Sequence, residues 1–285
     1  MRGKVYKHNK NKIFSLLTIN VLNGGWDRPK GLYSSMTKSK VVYALDRNEI
    51  FVKQLKKHAS TFVFTQEEGN NHKRIENIFK KAGYFCILHS PIGKFDGVGL
   101  YAKKGFEDLV IECYSYEPRC ECTTRRKWMI AKMSNGVTIA NIHLCGGRSE
   151  NLRFNKGSRA KEILSVIKSE KPDIILGDFN GDLSSRRTSQ SIKGSYENFL
   201  EKKGRNTNQF KDWLAEPFPI LKKEKYSVVK NEISTTPHYS VVDYIFYKKE
   251  AIQPLQKEAE ILNFISQKVT DHNGVLVKMK VKNNG

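Results

Sequence analysis

Short apolar runs recur along the chain and are separated by polar and charged stretches. Many of these runs are rich in β-branched or aromatic residues, which is typical of buried or half-buried strands. They cover residues 13–22, 61–66, 84–89, 97–103, 128–133, 137–144, 173–177, 240–247 and 273–281. Apolar residues at helical spacing predict helices over residues 46–58, 72–82 and 157–169, with Lys and Glu on their opposite faces.

The predicted strands and helices follow each other in a mixed order rather than as a regular strand–helix repeat. This order favours an α/β fold in which β-sheets pack on each other and helices cover the outside. A chain of 285 residues can bury a large core, and no linker or internal repeat divides it. We expect one domain over residues 1–285, with a core at about 13–281 and Gly- or Pro-containing loop insertions at about 23–43 and 204–238.

Polar side chains of types that can bind metal or take part in catalysis lie where the predicted strands end or begin. Because a sheet brings its strand ends together, residues far apart in sequence can converge on one rim. The residues at these positions are Asn20, Glu67, His143, Asp178 with Asn180, Asp243, and the pair Asp271 and His272. A lone His or Asp at such a position is more often structural than catalytic, so the ordered set is more informative than any single member.

The residue types in this set favour a hard divalent cation. Glu67, Asp178, Asn180 and Asp271 offer oxygen donors, which suit Mg²⁺, Mn²⁺ or Ca²⁺, and no zinc-type Cys and His cluster joins them. His143 and His272 can donate hydrogen bonds to phosphate oxygens and can move protons. The set therefore predicts metal-assisted cleavage of a phosphoester.

The polar positions also carry a family resemblance, which extends over nearly the whole chain. The sequence resembles the endonuclease/exonuclease/phosphatase superfamily, which includes deoxyribonuclease I, AP endonucleases, deadenylases and inositol polyphosphate phosphatases. The matching segments occur in the family's order at residues 18–21, 65–67, 96–102, 141–144, 176–180, 242–246 and 270–272. The resemblance implies a four-layered αββα sandwich of two packed mixed β-sheets flanked by helices.

The resemblance also implies roles for the residues on the metal side of such a site. Glu67 would be the principal metal ligand and Asn20 would lie beside it. Asp271 would lie near the metal. The cofactor would be Mg²⁺, with Mn²⁺ as an alternative.

The remaining matched residues would act on the phosphate and the attacking water. Asp178 would orient or deprotonate the water, and Asn180 would hold the phosphate in the transition state. Asp243 would orient His272. His143 would contact the phosphate and protonate the leaving group, although the sequence does not decide which residue is the general base.

Three arginines are candidate phosphate-binding residues. Arg126 resembles a phosphate-contacting Arg of the deoxyribonuclease branch, and Arg125 is an equal candidate. Arg148 follows His143 in a segment that matches no particular branch. A solvated charge at the start of a strand is the alternative for at least one of the first two.

The branch of the superfamily is left open by the sequence. His143 in place of a Tyr points away from AP endonucleases, whereas Asp243-Tyr-Ile-Phe resembles deadenylases and AP endonucleases. Tyr244 and the pair Gly181-Asp182 stand where inositol phosphatases carry other residues, which weakens that reading.

The charge balance makes nucleic acid the leading substrate. The chain has 50 Lys and Arg against 29 Asp and Glu, a formal net charge of +21. A surface this basic attracts polyanions, and phosphodiester backbones are bound largely through such charges. The alternatives are a phosphoinositide or another phosphorylated small molecule, with the charge serving an anionic membrane, and a non-catalytic nucleic-acid-binding scaffold. Biased composition without a partner would also account for the charge, and no obligate protein partner is evident.

The cysteines and the first residues bear on the compartment. Five cysteines in a chain of this length are a poor disulfide framework, and the spacing of Cys113, Cys120 and Cys122 does not match a usual zinc site. Residues 1–12 are polar and basic rather than a signal segment, and no run is long enough to span a membrane. We therefore expect an intracellular protein with reduced thiols.

Overall fold

The structure is a computed structural model. Two large β-sheets form the body of the molecule. The structure describes residues 13–21, 32–33, 40–41, 46–69, 72–92, 96–117, 127–145, 158–181, 183, 215–231, 233, 235–236, 241–267 and 269–282. A separate two-stranded ribbon pairs β2 (Leu32–Tyr33) with β3 (Lys40–Val41). None of the described helices is long and apolar enough to cross a membrane.

The first sheet has seven strands. They are β1 (Ile13–Asn20), β4 (Phe62–Gln66), β5 (Tyr84–Ile92), β6 (Asp96–Lys103), β13 (Ile252–Pro254), β14 (Glu260–Leu262) and β15 (Gly274–Val281). Their order is β13-β15-β1-β4-β6-β5, and β14 also pairs with β15. β1 and β4 are parallel and are joined through α1 (Arg47–His58), whereas α2 (His72–Lys81) joins β4 to β5. Both helices therefore begin near the edge of the sheet where β1 and β4 end.

The second sheet has six strands. They are β7 (Val110–Tyr116), β8 (Trp128–Met133), β9 (Thr138–His143), β10 (Ile174–Asp178), β11 (Tyr226–Val228) and β12 (Asp243–Lys248). Their order is β11-β12-β10-β9-β8-β7. β9 and β10 are parallel and are joined through α3 (Ser158–Glu170), and α4 (Pro217–Lys223) precedes β11. A 3₁₀ turn at Glu107–Leu109 leads into β7.

Three apolar clusters define the four layers that the sequence predicts. A central cluster fills the space between the sheets and includes Phe64, Leu100 and Leu176. A second cluster packs α1 and α2 on the outer face of the first sheet, and a third packs α3 and α4 on the outer face of the second. The αββα sandwich is confirmed.

Alternation along each strand decides which polar groups reach the interior. On β1, Phe14 and Leu16 face the central cluster, whereas Leu17 and Ile19 face the helices. Because successive side chains point to opposite faces, Asn20 shares the inward face with Phe14 and Leu16. The inner faces of β9, β10 and β12 follow the same pattern, so each carries apolar residues along its length and a polar residue at the same edge of the sandwich.

A buried amide bridge fixes the two sheets relative to each other just inside this edge. The Gln66 amide donates to Thr18 Oγ1 at 3.0 Å and to Asn141 Oδ1, in the other sheet, at 2.7 Å. Asn141 in turn donates to the Thr65 carbonyl at 3.0 Å. Buried polar groups stabilise a unique arrangement only when they are paired in this way. The bridge therefore sets the spacing of the residues that lie beyond it.

Each predicted strand and helix has a counterpart in the structure, with ends that differ by a few residues, but the second loop insertion contains more structure than expected. Residues 204–238 include α4 and β11. Pro217 and Pro219 belong to this predicted loop insertion, yet they lie in the first turn of α4, where a missing N–H costs no helical hydrogen bond. The edge strand β7 and the short strands β13 and β14 were also not predicted. Among the described cysteines, Cys86, Cys113 and Cys145 form no disulfide.

Candidate active site at one edge of the sandwich

Three of the predicted site residues form one row across the second sheet. In the strand register, Asp178 on β10 pairs with His143 on β9 and with Asp243 on β12. All three side chains are buried. They face the first sheet because the strands place them on the same side as the central apolar cluster. The row is the floor of the candidate site.

Asp178 lies at the centre of the site. Its Oδ2 accepts the Asn20 amide at 3.1 Å and lies 3.6 Å from His143 Nε2 and 3.9 Å from His272 Nε2. Burial alone would raise the pKa of Asp178, but the two histidines and the hydrogen bonds from Asn180 and Asn20 lower it below its usual value. Asp178 is therefore a carboxylate at neutral pH.

Glu67 supplies the second carboxylate, and it reaches the site from the first sheet. Its Oε1 accepts the Asn20 amide at 3.0 Å and lies 3.6 Å from His143 Nε2. One Asn20 amide group thus holds both Glu67 and Asp178. The Glu67 side chain is 22% exposed, in contrast to the buried Asp178, and this opens the pair to solvent on one side.

His143 is oriented by a residue to which the sequence assigned no role. His143 Nδ1 lies 3.1 Å from Asp96 Oδ1, which also accepts the Gly97 N–H at 2.8 Å. An adjacent carboxylate fixes the ring and directs the other nitrogen, Nε2, toward Glu67 and Asp178. Asp96 was part of a matched segment. It was overlooked because it begins β6, whereas the other site residues were found at strand ends.

His272 forms a second pair with Asp243. His272 Nδ1 lies 2.8 Å from Asp243 Oδ2, and both side chains are nearly or fully buried. Burial alone would lower the pKa of His272, but the charge and hydrogen bond of Asp243, with further contributions from Asp271 and Asp178, raise it well above its usual value. The direction of this pKa shift favours the charged form of His272, whose Nε2 lies 3.9 Å from Asp178 Oδ2.

Asn180 is held in place by a strained turn directly after β10. Its backbone is in the left-handed region, at φ 47°, and its N–H donates to Asp178 Oδ1 at 2.7 Å. Its side-chain amide donates to the Leu144 carbonyl at 2.9 Å. Gly177 is required just before, because a Cβ there would lie 2.0 Å from the Ile142 carbonyl oxygen. The turn sets Asn180 beside Asp178.

Asp271 is placed less deeply than Asn20 and, like Glu67, is only partly buried. It is half-buried, beside His272, and close to the Thr270 hydroxyl at 3.4 Å. The Thr270 hydroxyl also contacts the Asn20 carbonyl at 3.0 Å, so the turn before β15 is tied to the end of β1. Arg125, Arg126 and Arg148, the predicted phosphate-binding residues, lie outside the described residues.

Two groups in the site have the composition of a metal centre. One is Glu67, His143 and Asp178, and the other is Asp178, Asp243 and His272. The first fits a hard divalent cation, because two carboxylate oxygens held by one amide converge where one of them is open to solvent. In the second, His272 is already engaged with Asp243. The arrangement therefore combines a group that could hold a cation with an imidazole whose raised pKa favours its charged form, around one carboxylate.

Comparison with solved structures identifies the fold. No protein-family model and no curated protein sequence matches the chain. The catalytic domain of human Nocturnin matches with 14% identity and a TM-score of 0.56, covering 95% of this chain and 94% of that one. A 3′ phosphatase, NExo from Neisseria, matches with 14% identity and a TM-score of 0.60, covering 93% of this chain and 98% of that one. An AP endonuclease from Archaeoglobus fulgidus matches with 15% identity and a TM-score of 0.58, covering 93% and 98%. The fold is that of the endonuclease/exonuclease/phosphatase structures.

Proposed function

We propose that the chain is a divalent-metal-dependent phosphodiesterase of the endonuclease/exonuclease/phosphatase superfamily and that it hydrolyses nucleic acid. The observation that carries the proposal is the convergence of the Glu67 side and of His272 on the buried Asp178 carboxylate, where Glu67 is partly open to solvent. Attack of water on a phosphodiester requires a cation, which a carboxylate pair can hold, and a proton-donating group such as an imidazolium beside it.

Mg²⁺, or Mn²⁺ in its place, would be held by Glu67, with Asn20 fixing the carboxylate and Asp271 beside the site. When bound, it would neutralise charge on the phosphate and on the leaving oxygen. The donor set supports this assignment because hard cations select oxygen ligands. In the structure the Asn20 amide donates to both carboxylates, so we assign Asn20 to orienting the ligands.

The protein groups around the phosphate then divide the remaining work. Asp178 accepts a hydrogen bond from the attacking water and orients it, since a carboxylate with a lowered pKa is a weak base. The charged His272, held by Asp243, donates to a phosphate oxygen and stabilises the developing charge. Asn180 holds a second phosphate oxygen. His143, aimed by Asp96, is placed to contact the phosphate or protonate the leaving group.

A basic groove in the helical layer outside the first sheet supports a polynucleotide as the substrate. The groove has a volume of about 950 Å³ and lies between α1 and α2, and its lining includes Lys53, Lys56, Lys73 and Lys81 together with the acidic Glu49. Within the described part of the chain these four lysines form no ion pair. Like charges gathered without partners repel each other, and a polyanion relieves that repulsion. Lys73 stands six residues after Glu67, so the groove starts close to the catalytic edge.

Removal of a terminal phosphate is the second candidate. The same carboxylates and imidazoles serve hydrolysis of a terminal phosphate, and two of the similar structures are a 3′ phosphatase and the 2′,3′-cyclic phosphatase ANGEL2. A phosphoinositide or another phosphorylated small molecule would use the same groups. A non-catalytic scaffold is disfavoured because the polar set is complete in this chain.

A panel of labelled substrates tests the proposal. Single-stranded, double-stranded, abasic, poly(A) and 5′-tyrosyl nucleic acids are incubated with Mg²⁺ or with EDTA, beside phosphoinositides and 3′-phosphorylated oligonucleotides. We expect Mg²⁺-dependent cleavage of at least one internal or terminal phosphodiester and no cleavage in EDTA. Phosphate release from lipids or 3′ ends with all chains left intact would support the second candidate. Inertness towards every substrate would favour the scaffold.

A further inference from the structure

A buried carboxylate lies directly beside the proposed metal ligand and has no part in the mechanism above. Glu68 follows Glu67 and is completely buried. Its carboxylate accepts a hydrogen bond from the Thr65 hydroxyl and pairs with His89 Nδ1. An ionisable group is costly to bury, so it persists in an interior only where specific partners hold it. Glu68 is therefore anchored rather than merely enclosed.

The partners of Glu68 form one row across three neighbouring strands. In the strand register Thr65 on β4 pairs with Gly99 on β6, and Gly99 pairs with His89 on β5. Glu68 folds back over this row and contacts all three strands. A Cβ at Gly99 would lie 2.1 Å from Glu68 Oε1 and 2.4 Å from its Cδ, so only glycine leaves room for the carboxylate. The site under Glu68 is built by the sheet.

Glu67 stands between two anchored neighbours in a strained conformation. Its φ is 57°, in the left-handed region that residues with a side chain rarely adopt. Such a conformation persists only where the surroundings impose it. On one side Gln66 is fixed by Thr18 and Asn141, and on the other Glu68 is fixed by Thr65 and His89.

These contacts point to a division of labour between the two adjacent glutamates. We propose that Glu68 is a positioning residue for the metal site: it locks the backbone turn that aims the Glu67 carboxylate at Asp178, and it never touches the cation. The inference rests on the proposed function, in which Glu67 is the metal ligand. Residues behind a metal ligand commonly change metal affinity by about 10- to 100-fold when they are replaced.

Metal binding without substrate tests this inference directly. Mn²⁺ affinity is measured by titration calorimetry or by electron paramagnetic resonance on the full chain, for the wild type, Glu67→Gln and Glu68→Gln. We expect Glu67→Gln to lose tight binding and Glu68→Gln to weaken it about tenfold or more. Excess Mn²⁺ should restore cleavage in Glu68→Gln and should fail to restore it in Glu67→Gln.

Tyr84→Phe is the control for loss of a buried polar contact alone. Tyr84 is buried in the same sheet and contacts Ser60 at the opposite edge. The Tyr84→Phe substitution should lower the thermal midpoint of unfolding without changing the Mn²⁺ affinity. If Glu68→Gln does not fold, Thr65→Val provides a second test, because it removes one hydrogen-bond donor to Glu68. Thr65→Val should also weaken Mn²⁺ binding. Mn²⁺ affinity within twofold of wild type in both variants would overturn the inference. A wild type that binds no Mn²⁺ would instead remove the proposed function, and with it the premise.

Discussion

Two sides of the candidate site share Asp178 and are built from the same residue types, yet they are organised differently. The Glu67 side comprises Asn20, Glu67 and His143 with its partner Asp96, and the His272 side comprises Asp243 and His272. On the Glu67 side one amide joins two carboxylates, and His143 Nε2 stays 3.6 Å from each. On the His272 side the carboxylate and the imidazole form a closed pair at 2.8 Å.

Under the proposed function, this difference would give one fold two kinds of positive charge next to one phosphate. On the Glu67 side two carboxylates accept from one amide and one of them is partly open to solvent, an arrangement that favours a cation there. On the His272 side the Asp243 carboxylate pairs with the imidazole and raises its pKa, which favours an imidazole that carries the positive charge itself. The composition of a His and Asp cluster is thus a poor guide to a metal site unless its internal pairing is known.

Removal of the shared residue should have the largest effect. Asp178→Asn keeps the size of the side chain but removes the charge on which both sides converge. We expect the cleavage rate to fall by roughly 10²- to 10⁴-fold, measured in single-turnover reactions at saturating Mg²⁺. Asp173→Asn, before the other end of β10, is the matched control and should stay near wild type. Activity of Asp178→Asn within a few-fold of that control would mean that the two sides do not act through Asp178.

Asp243→Asn should change the pH dependence that comes from the His272 side without changing the Mg²⁺ dependence that comes from the Glu67 side. His272 would stay buried but would lose the charge and hydrogen bond that raise its pKa, so the pKa should fall below that of the wild type. Since the charged form is the working form, the loss of activity on the alkaline side should move to lower pH, while the Mg²⁺ concentration for half-maximal activity stays unchanged.

The sign of this shift also predicts a change in stability. A raised pKa in the folded state stabilises the fold at pH values below the unfolded pKa of His, and this contribution disappears as pH rises through the folded value. The His272 titration is followed by NMR in metal-free protein. Glu260→Gln, which breaks the His58 pair at the far end of α1, is the control. An unchanged His272 pKa in Asp243→Asn would contradict the assigned cause.

The smallest predicted effect concerns the lysine groove, which lies outside both sides. Replacement of Lys53, Lys56, Lys73 and Lys81 by Gln should weaken binding of a long single strand and reduce the slope of log K against log salt by about 3 if all four contact phosphates. Cleavage of a dinucleotide should be unchanged. Four exposed lysines elsewhere, Lys249, Lys257, Lys278 and Lys280, provide the control. An equal loss in both quadruple variants would show that only net charge matters.

Much of the site follows from sequence because alternation in strands is a local property. Asn20, His143 and Asp178 continue the inward-facing positions of strands whose apolar residues predict them, and these strands end at one edge. What sequence did not predict depends on partners from other strands. The pairing of Asp96 with His143 needs the start of β6 to lie against the end of β9. The Glu68 cluster needs the register of β4, β6 and β5, which no single run of residues specifies.

The helix α4 illustrates a different limit. Prolines at 217 and 219 have the same local signature whether they break a chain or open a helix, and only the packing of Phe218 and Leu221 on the second sheet distinguishes the two. Similarly, the Asp243 and His272 pair resembles the Glu67 group in composition. The hydrogen bond between them, which separates their roles, is visible only in three dimensions.

Anomalous diffraction from crystals soaked in Mn²⁺ tests the distinction between the two sides most directly. We predict a peak about 2.1 Å from a Glu67 carboxylate oxygen, on the side that faces Asp178, and no peak between Asp243 and His272. The peak should vanish in Glu67→Gln crystals. A Mn²⁺ peak between Asp243 and His272, or no peak beside Glu67 at saturating Mn²⁺, would contradict the distinction between the two sides.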